Sequence, residues 1–113
     1  MINALYVAGD NTSLSKILGR EIKIDYVQNG MIALSAIQTG DFDAIIIEDE
    51  LPLMTPSRLI QELFHTNPNV PIIGLVRTEK RRGNLLADVG MGLFGYFEPE
   101  YEQWDDLRLL LGS

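Results

Sequence analysis

A run of three carboxylates in the middle of the chain is the part of the sequence best suited to chemistry. Glu48, Asp49 and Glu50 directly follow the apolar residues 44–47, and Pro52 lies four positions after Glu48. An apolar run bounded by turn-forming residues is typical of an interior strand in a parallel sheet, where helices cover both faces. Open α/β sheets bind their ligands at the carboxyl ends of such strands. These carboxylates are therefore candidates for a site, and carboxylates suit a hard divalent cation such as Mg²⁺.

The rest of the chain supplies the elements that would position this site. Five strand-like segments alternate with five helix-like segments. This alternation predicts right-handed strand–helix–strand crossovers and hence a parallel sheet. We predict a three-layer, doubly wound α/β fold with five parallel strands, at residues 4–8, 22–27, 44–47, 71–76 and 93–97.

Capping residues predict where several helices begin and end. Asn29 and Gly30 form a turn and cap before an apolar stripe that ends at Gly40, a suitable C′ residue. Thr55 is the expected N-cap of the next helix, because Pro56 suits the first helical position. The buried stripe of that helix is predicted to be Leu59, Ile60, Leu63 and Phe64. Further helices are predicted over residues 14–18, 82–89 and 104–111.

Length and composition predict one cytoplasmic domain that binds neither nucleic acid nor a membrane. The 113 residues suit a single domain over 1–113, with ordinary hydrophobic and charged fractions of 46% and 22%. The chain has no cysteine, and its apolar runs are far shorter than the roughly 20 residues that span a bilayer. The N-terminus lacks the basic segment and cleavage pattern of a signal peptide. A net charge of −7 disfavours nucleic-acid binding, which needs a basic face.

The motifs and the order of elements resemble the receiver domains of response regulators over the whole chain. After the first strand, Asp10 matches the second of the two acidic residues that hold magnesium in that family, and Gly9 replaces the first. The family's phosphoacceptor aspartate ends the third strand four residues before a proline, and Glu48 stands at that position. The resemblance implies the strand order 2-1-3-4-5, as in flavodoxin, with the site at the carboxyl ends of the strands.

Three further positions bear on the phosphorylation chemistry that the resemblance implies. Val76 stands where the family has a hydroxyl residue, and Glu98 stands where it has a lysine, before Pro99. Tyr96 resembles the aromatic switch residue of the fifth strand. Asp49 is the competing phosphoacceptor, but the two-residue period of a strand would turn it away from the site.

These departures remove the groups that stabilise a transferred phosphoryl group. Asp10, Glu48 and Glu98 would form an acidic pocket without a lysine, and this pocket would repel an incoming phosphate. No metal is expected, although Asp10 and Glu48 are the candidate ligands if Mg²⁺ binds. Glu48 has two interpretations: a built-in mimic of the phosphorylated form, or a tolerated solvated carboxylate at a vestigial site.

The preferred hypothesis is therefore a pseudo-receiver of two-component (phosphorelay) signalling, which acts by protein docking and is not an enzyme. The resemblance implies docking of a protein partner or a second copy through the fourth predicted helix, the fifth strand and the last helix. We call this surface the docking face, with Tyr101, Trp104 and Arg108 as its candidate residues. His65, the only histidine, is predicted to be a surface residue near a helix end.

Two alternatives remain open. The first is a genuine receiver that is phosphorylated on Asp49, with Asp10 and Mg²⁺, by a histidine kinase. The second is a small flavodoxin-like binder of a nucleotide or flavin. The residues after the first strand lack a glycine-rich phosphate loop, which disfavours this second alternative.

Overall fold

Five parallel strands form one sheet in the computed structural model, which describes residues 2–9, 22–48, 51–66, 69–75 and 95–97. The strand order is β2-β1-β3-β4-β5, which confirms the predicted fold and strand order. Along the chain the described elements are β1 (Ile2–Val7), β2 (Ile22–Val27), α1 (Gly30–Thr39), β3 (Ala44–Glu48), α2 (Pro56–Thr66), β4 (Ile72–Leu75) and β5 (Gly95–Phe97). The predicted helices over residues 14–18, 82–89 and 104–111 lie outside the described residues.

The position of each strand in the sheet explains its sequence pattern. β3 lies between β1 and β4, and all five of its residues are buried. A strand covered on both faces has no solvent side, so its apolar residues run without alternation. β2 lies at an edge of the sheet, and its Lys23 and Asp25 are exposed. Charged residues on an edge strand discourage pairing with another chain.

Two apolar clusters lie on opposite faces of the sheet, because successive side chains of a strand point to opposite sides. One face packs against α1 and α2, and we call it the helix face; it comprises Leu5, Val7, Ala33, Ile37, Ile45, Ile47, Leu59, Ile60, Leu63 and Ile72. The other, which we call the tyrosine face, comprises Ala4, Tyr6, Ala8, Ile22, Ala44, Ile46, Ile73 and Leu75.

The predicted N-cap of α1 is present, but Gly40 at the other end of the helix has a different role from the one expected. The side-chain oxygen of Asn29 accepts a hydrogen bond from the Ile32 N–H at 2.9 Å, as an N-cap does. Gly40 is the C-cap with φ −100°, so it is not the left-handed C′ residue that the sequence suggested. Glycine fits there because a Cβ would lie 2.5 Å from the Phe42 ring. Packing of Phe42, rather than backbone conformation, therefore favours glycine at this helix end.

α2 begins as predicted, but its buried stripe is narrower. The Thr55 hydroxyl accepts a hydrogen bond from the Arg58 N–H at 3.3 Å, which confirms Thr55 as the cap ahead of Pro56. Leu59, Ile60 and Leu63 are buried, whereas Phe64 is 42% exposed, so its assignment to the stripe was wrong. At 100° per residue, Phe64 lies about 90° around the helix from the centre of the stripe. Neither described helix is long and apolar enough to cross a membrane.

Candidate functional site

The carboxyl ends of β1 and β3 lie side by side, because the two strands pair in parallel from Ala4–Ala44 to Val7–Ile47. Glu48, the last residue of β3, therefore lies at the carboxyl-terminal end of the sheet, where the sequence predicted a site. Its side chain, however, does not project into solvent. It is only 6% exposed, and it is the one buried residue with a charged side chain in the described part of the chain.

The partner of this buried carboxylate is a tyrosine of the neighbouring strand. The Tyr6 hydroxyl donates a hydrogen bond to Oε1 of Glu48, and Tyr6 itself is 1% exposed. Tyr6 aligns with Ile46, two residues before Glu48, so the strand period places both polar side chains on the tyrosine face. Glu48 is therefore not solvated, as one of the two sequence-based interpretations assumed, while its role as a phosphorylation mimic or as part of a vestigial site stays a prediction. Burial of a carboxylate requires hydrogen-bond partners, and Tyr6 is one.

A second tyrosine stabilises the same end of β1 in a different way. The Tyr26 hydroxyl donates to the Ala8 carbonyl oxygen at 2.9 Å, just beyond the end of β1. The rings of Tyr6 and Tyr26 lie 5.9 Å apart at an interplanar angle of 47°. Aromatic pairs at this separation stabilise one another beyond simple burial. The two hydroxyls thus bind different acceptors, one a side-chain carboxylate and the other a backbone carbonyl.

Gly9 and Pro52 bring the segments that follow β1 and β3 into contact. A Cβ at Gly9 would lie 3.3 Å from Cδ of Pro52, which is closer than ordinary van der Waals contact. An acidic side chain at this position, as the family pattern has it, would require the proline ring to shift by a few tenths of an ångström. Gly9 therefore packs against Pro52, and it also lacks the carboxylate that the family pattern has at this position.

The turn after β3 holds a leucine in an unfavourable backbone conformation. Leu53 has φ 68°, and the Met54 N–H donates to the Pro52 carbonyl at 2.8 Å across a three-residue turn. Leu53 is 82% exposed, so burial of its side chain does not offset the left-handed conformation. That conformation costs a residue with a Cβ roughly 1–2 kcal/mol.

We expect Leu53→Gly to raise the free energy of unfolding by about 0.5–1 kcal/mol. Glycine adopts a positive φ without a steric penalty, and this gain exceeds its larger entropy in the unfolded chain. Leu53→Ala is the matched control, because it removes the exposed side chain but keeps the Cβ; it should change stability by less than about 0.5 kcal/mol. Urea unfolding measures both, and equal effects of the two variants would contradict the strain at this turn.

The other predicted site residues divide into those that the structure places and those that it does not describe. Tyr96 lies in β5, where it pairs with Gly74, so β4 separates it from β3. His65 is exposed in the last turn of α2, as predicted. Outside the described residues lie Asp10, Asp49, Val76, Glu98, Tyr101, Trp104 and Arg108. Within the described ranges, no three His, Cys, Asp or Glu residues converge as a metal site would require.

Tyr6 is the site residue that sequence reasoning missed, although a signal was present. It is the only residue with a polar side chain in the apolar segment 4–8. A buried tyrosine usually finds a partner for its hydroxyl. A lone tyrosine in an interior strand therefore predicts an acceptor on the same face of a neighbouring strand.

Similarity to solved structures extends over nearly the whole chain. A response regulator receiver domain of Methanospirillum hungatei JF-1, described as CheY-like, has a TM-score of 0.84 at 18% identity, covering 98% of this chain and 90% of its own. A two-component response regulator from Clostridium difficile has a TM-score of 0.83 at 19% identity, with coverage of 98% and 93%. The Francisella response regulator 1452 receiver domain has a TM-score of 0.82 at 22% identity, also with coverage of 98% and 93%.

The chain has the receiver-domain fold. No protein-family model matches the sequence, and no curated relative matches it either. In this fold the carboxyl ends of β1 and β3 lie next to each other at one end of the sheet, and Gly9 and Glu48 lie at that end.

The magnesium ion that the receiver resemblance implies does not fit the described residues at this end of the sheet. Gly9 offers no side-chain oxygen, and Pro52 packs against it. Glu48 is buried, and Oε1 already accepts a hydrogen bond from Tyr6. Because Mg²⁺ needs near-ideal octahedral geometry and keeps several waters, a carboxylate turned into an apolar face is a poor ligand for it.

Proposed function

We propose that this chain is a receiver-like domain of two-component signal transduction that works without aspartyl phosphorylation. The observation that carries the proposal is the hydrogen bond from the Tyr6 hydroxyl to the buried Glu48 carboxylate. A phosphoacceptor must present a carboxylate oxygen to an incoming phosphoryl group together with a cation that neutralises its charge. At the phosphoacceptor position of this chain, the carboxylate instead belongs to the tyrosine face.

The residue types at the other positions that resemble the receiver site support the same proposal. Gly9 replaces one acidic ligand, and Pro52 fills the space beside it. Val76 and Glu98, which lie outside the described residues, replace the hydroxyl and the lysine that would contact a phosphoryl group. These changes act together, because each removes a different group that phosphoryl transfer requires.

The proposed activity is docking, without catalysis, by a single cytoplasmic domain over residues 1–113. The docking face contains β5, which forms one edge of the sheet. Its candidate contact residues Tyr101, Trp104 and Arg108 combine two aromatic side chains with an arginine, and these residue types are enriched at protein interfaces. The partner is a protein or a second copy of this chain; the net charge of −7 disfavours nucleic acid.

Incubation with acetyl phosphate and Mg²⁺, and separately with beryllofluoride and Mg²⁺, tests the proposal. We expect intact-mass spectrometry to detect no added phosphoryl group, because neither the carboxylate at position 48 nor its surroundings suit transfer. Amide chemical shifts of Ala8, Glu48 and Tyr96 should stay unchanged in both incubations. A receiver domain that phosphorylates under the same conditions is the positive control.

The alternatives predict different results in this experiment. A phosphoryl group mapped to Asp49 would contradict the proposal and identify a working receiver with a shifted acceptor. A rise in melting temperature with a nucleotide or flavin, in the absence of a phosphodonor, would instead favour a small-molecule binder.

A further inference from the structure

We propose that the Tyr6 hydroxyl takes the place of a divalent cation as the counter-group of the carboxylate at the end of β3. This inference deepens the proposed function and rests on it. It assigns a positioning role to Tyr6, which keeps the Glu48 side chain inside the tyrosine face. The Glu48 carboxylate therefore has the same position in the presence and in the absence of a divalent metal ion.

The first step in the argument is the burial of both side chains. Glu48 is 6% exposed and Tyr6 is 1% exposed. Removal of a carboxylate from water is unfavourable unless hydrogen bonds or opposite charges replace the lost hydration. A carboxylate at the open edge of a receiver site can use a bound cation for this purpose. Here a hydroxyl from the neighbouring strand contributes instead, through its hydrogen bond to Oε1.

The second step is the geometry that holds the hydroxyl in place. Tyr6 is the next-to-last residue of β1, a strand that lies between β2 and β3, and its ring contacts that of Tyr26. The Tyr26 hydroxyl donates to the Ala8 carbonyl. The Tyr6 ring is therefore confined by the sheet and by a neighbour that is itself hydrogen-bonded. A confined donor loses little side-chain entropy when it binds its acceptor.

The third step is competition for one carboxylate oxygen. A hydrated divalent cation does not fit inside the apolar tyrosine face, where Oε1 of Glu48 accepts the hydrogen bond from the Tyr6 hydroxyl. To reach such a cation, the Glu48 carboxylate would have to leave the tyrosine face and give up this hydrogen bond. Removal of the hydroxyl alone should therefore strengthen cation binding, even though it adds no ligand to the protein.

Titration with Mn²⁺ tests this competition, because the ion broadens the amide resonances of nearby residues. The proteins compared are the unmodified chain, Tyr6→Phe and, as the matched control, Tyr26→Phe. Tyr26→Phe removes a hydroxyl from the same end of the sheet, but one bound to a backbone carbonyl. We expect Tyr6→Phe to bind Mn²⁺ beside Glu48 at least about tenfold more tightly than the other two proteins.

Two results would overturn the inference. One is localised broadening at Glu48 of equal strength in all three proteins, and the other is a Tyr6→Phe variant with no gain in affinity over Tyr26→Phe. If Tyr6→Phe does not fold, the hydroxyl proton of Tyr6 in the unmodified chain provides the test. It should remain visible by NMR, with an unchanged chemical shift, in excess Mg²⁺; its loss on Mg²⁺ addition would contradict the proposal.

These outcomes are separate from those of the proposed function. No phosphodonor is present in the Mn²⁺ titration, so its result does not depend on phosphorylation. A phosphoryl group on Asp49 would refute phosphorylation-independent docking, and the effect of Tyr6→Phe on Mn²⁺ binding would still be measurable.

Discussion

Tyr6→Phe and Glu48→Met should each lower the free energy of unfolding by about 1–3 kcal/mol, while the double variant should lose less than the sum of the two. Each single change leaves one polar group buried without the hydrogen bond that now joins them. The double change removes both polar groups at once, and replacement of two hydrogen-bonded partners by apolar groups can be nearly neutral. Methionine is chosen at position 48 because it is unbranched and close to glutamate in length.

Urea unfolding of the four proteins forms a double-mutant cycle that isolates the interaction between positions 6 and 48. We expect a coupling energy of at least about 1 kcal/mol. Glu62→Met on the exposed surface of α2 is the control for the change of residue type, and it should shift stability by less than about 0.5 kcal/mol. Additive effects at positions 6 and 48 would show that the two side chains do not stabilise one another.

The second large effect is expected in α2, where adjacent residues differ sharply in burial. Leu63 is fully buried in the helix-face cluster, whereas Phe64 is 42% exposed. Leu63→Ala should lower the free energy of unfolding by about 2–5 kcal/mol, since it removes buried methyl groups and leaves a cavity. Phe64→Ala should cost less than about 1 kcal/mol, because most of what it removes already faces water.

Denaturant unfolding of both variants measures this contrast. The helical circular dichroism signal of each folded variant, compared with that of the unmodified chain, checks that neither substitution unfolds a helix. Both substitutions introduce alanine, the strongest helix former, and leucine and phenylalanine differ in helix propensity by less than about 0.7 kcal/mol, which is too little to account for the expected contrast. A loss at Phe64 as large as that at Leu63 would place Phe64 in the core and restore the wider stripe that the sequence suggested.

The fold could be predicted from the sequence because its signals are local. Asn29 and Thr55 cap their helices through bonds to N–H groups three residues ahead, which depend on the immediate chain alone. The unbroken apolar residues of β3 require cover on both faces, and this requirement together with the strand–helix alternation indicates a parallel sheet. The offset between Glu48 and Pro52 placed the carboxylate at the end of β3, where the structure has it.

The errors concern side-chain packing, which residue type and periodicity alone do not specify. Gly40 has the residue type of a left-handed helix end, but the Phe42 ring determines what fits there. Phe64 is apolar and lies at the margin of a helical stripe, and only the position of the sheet relative to α2 leaves it exposed. Periodicity identifies the centre of a buried stripe, whereas its width depends on the surface that it meets.

For the site, the sequence by itself determined the residue types: a glutamate in place of the phosphoacceptor, and a glycine in place of an acidic ligand. These identities are the basis of the prediction that the usual aspartyl phosphorylation does not occur. Only the tertiary structure decided where the Glu48 carboxylate points. Its direction depends on the register of β1 against β3, which brings the Tyr6 hydroxyl within hydrogen-bond reach across a separation of 42 residues. Because a buried carboxylate must find its partners among whichever groups the fold brings close, no local pattern could reveal that the partner is a tyrosine.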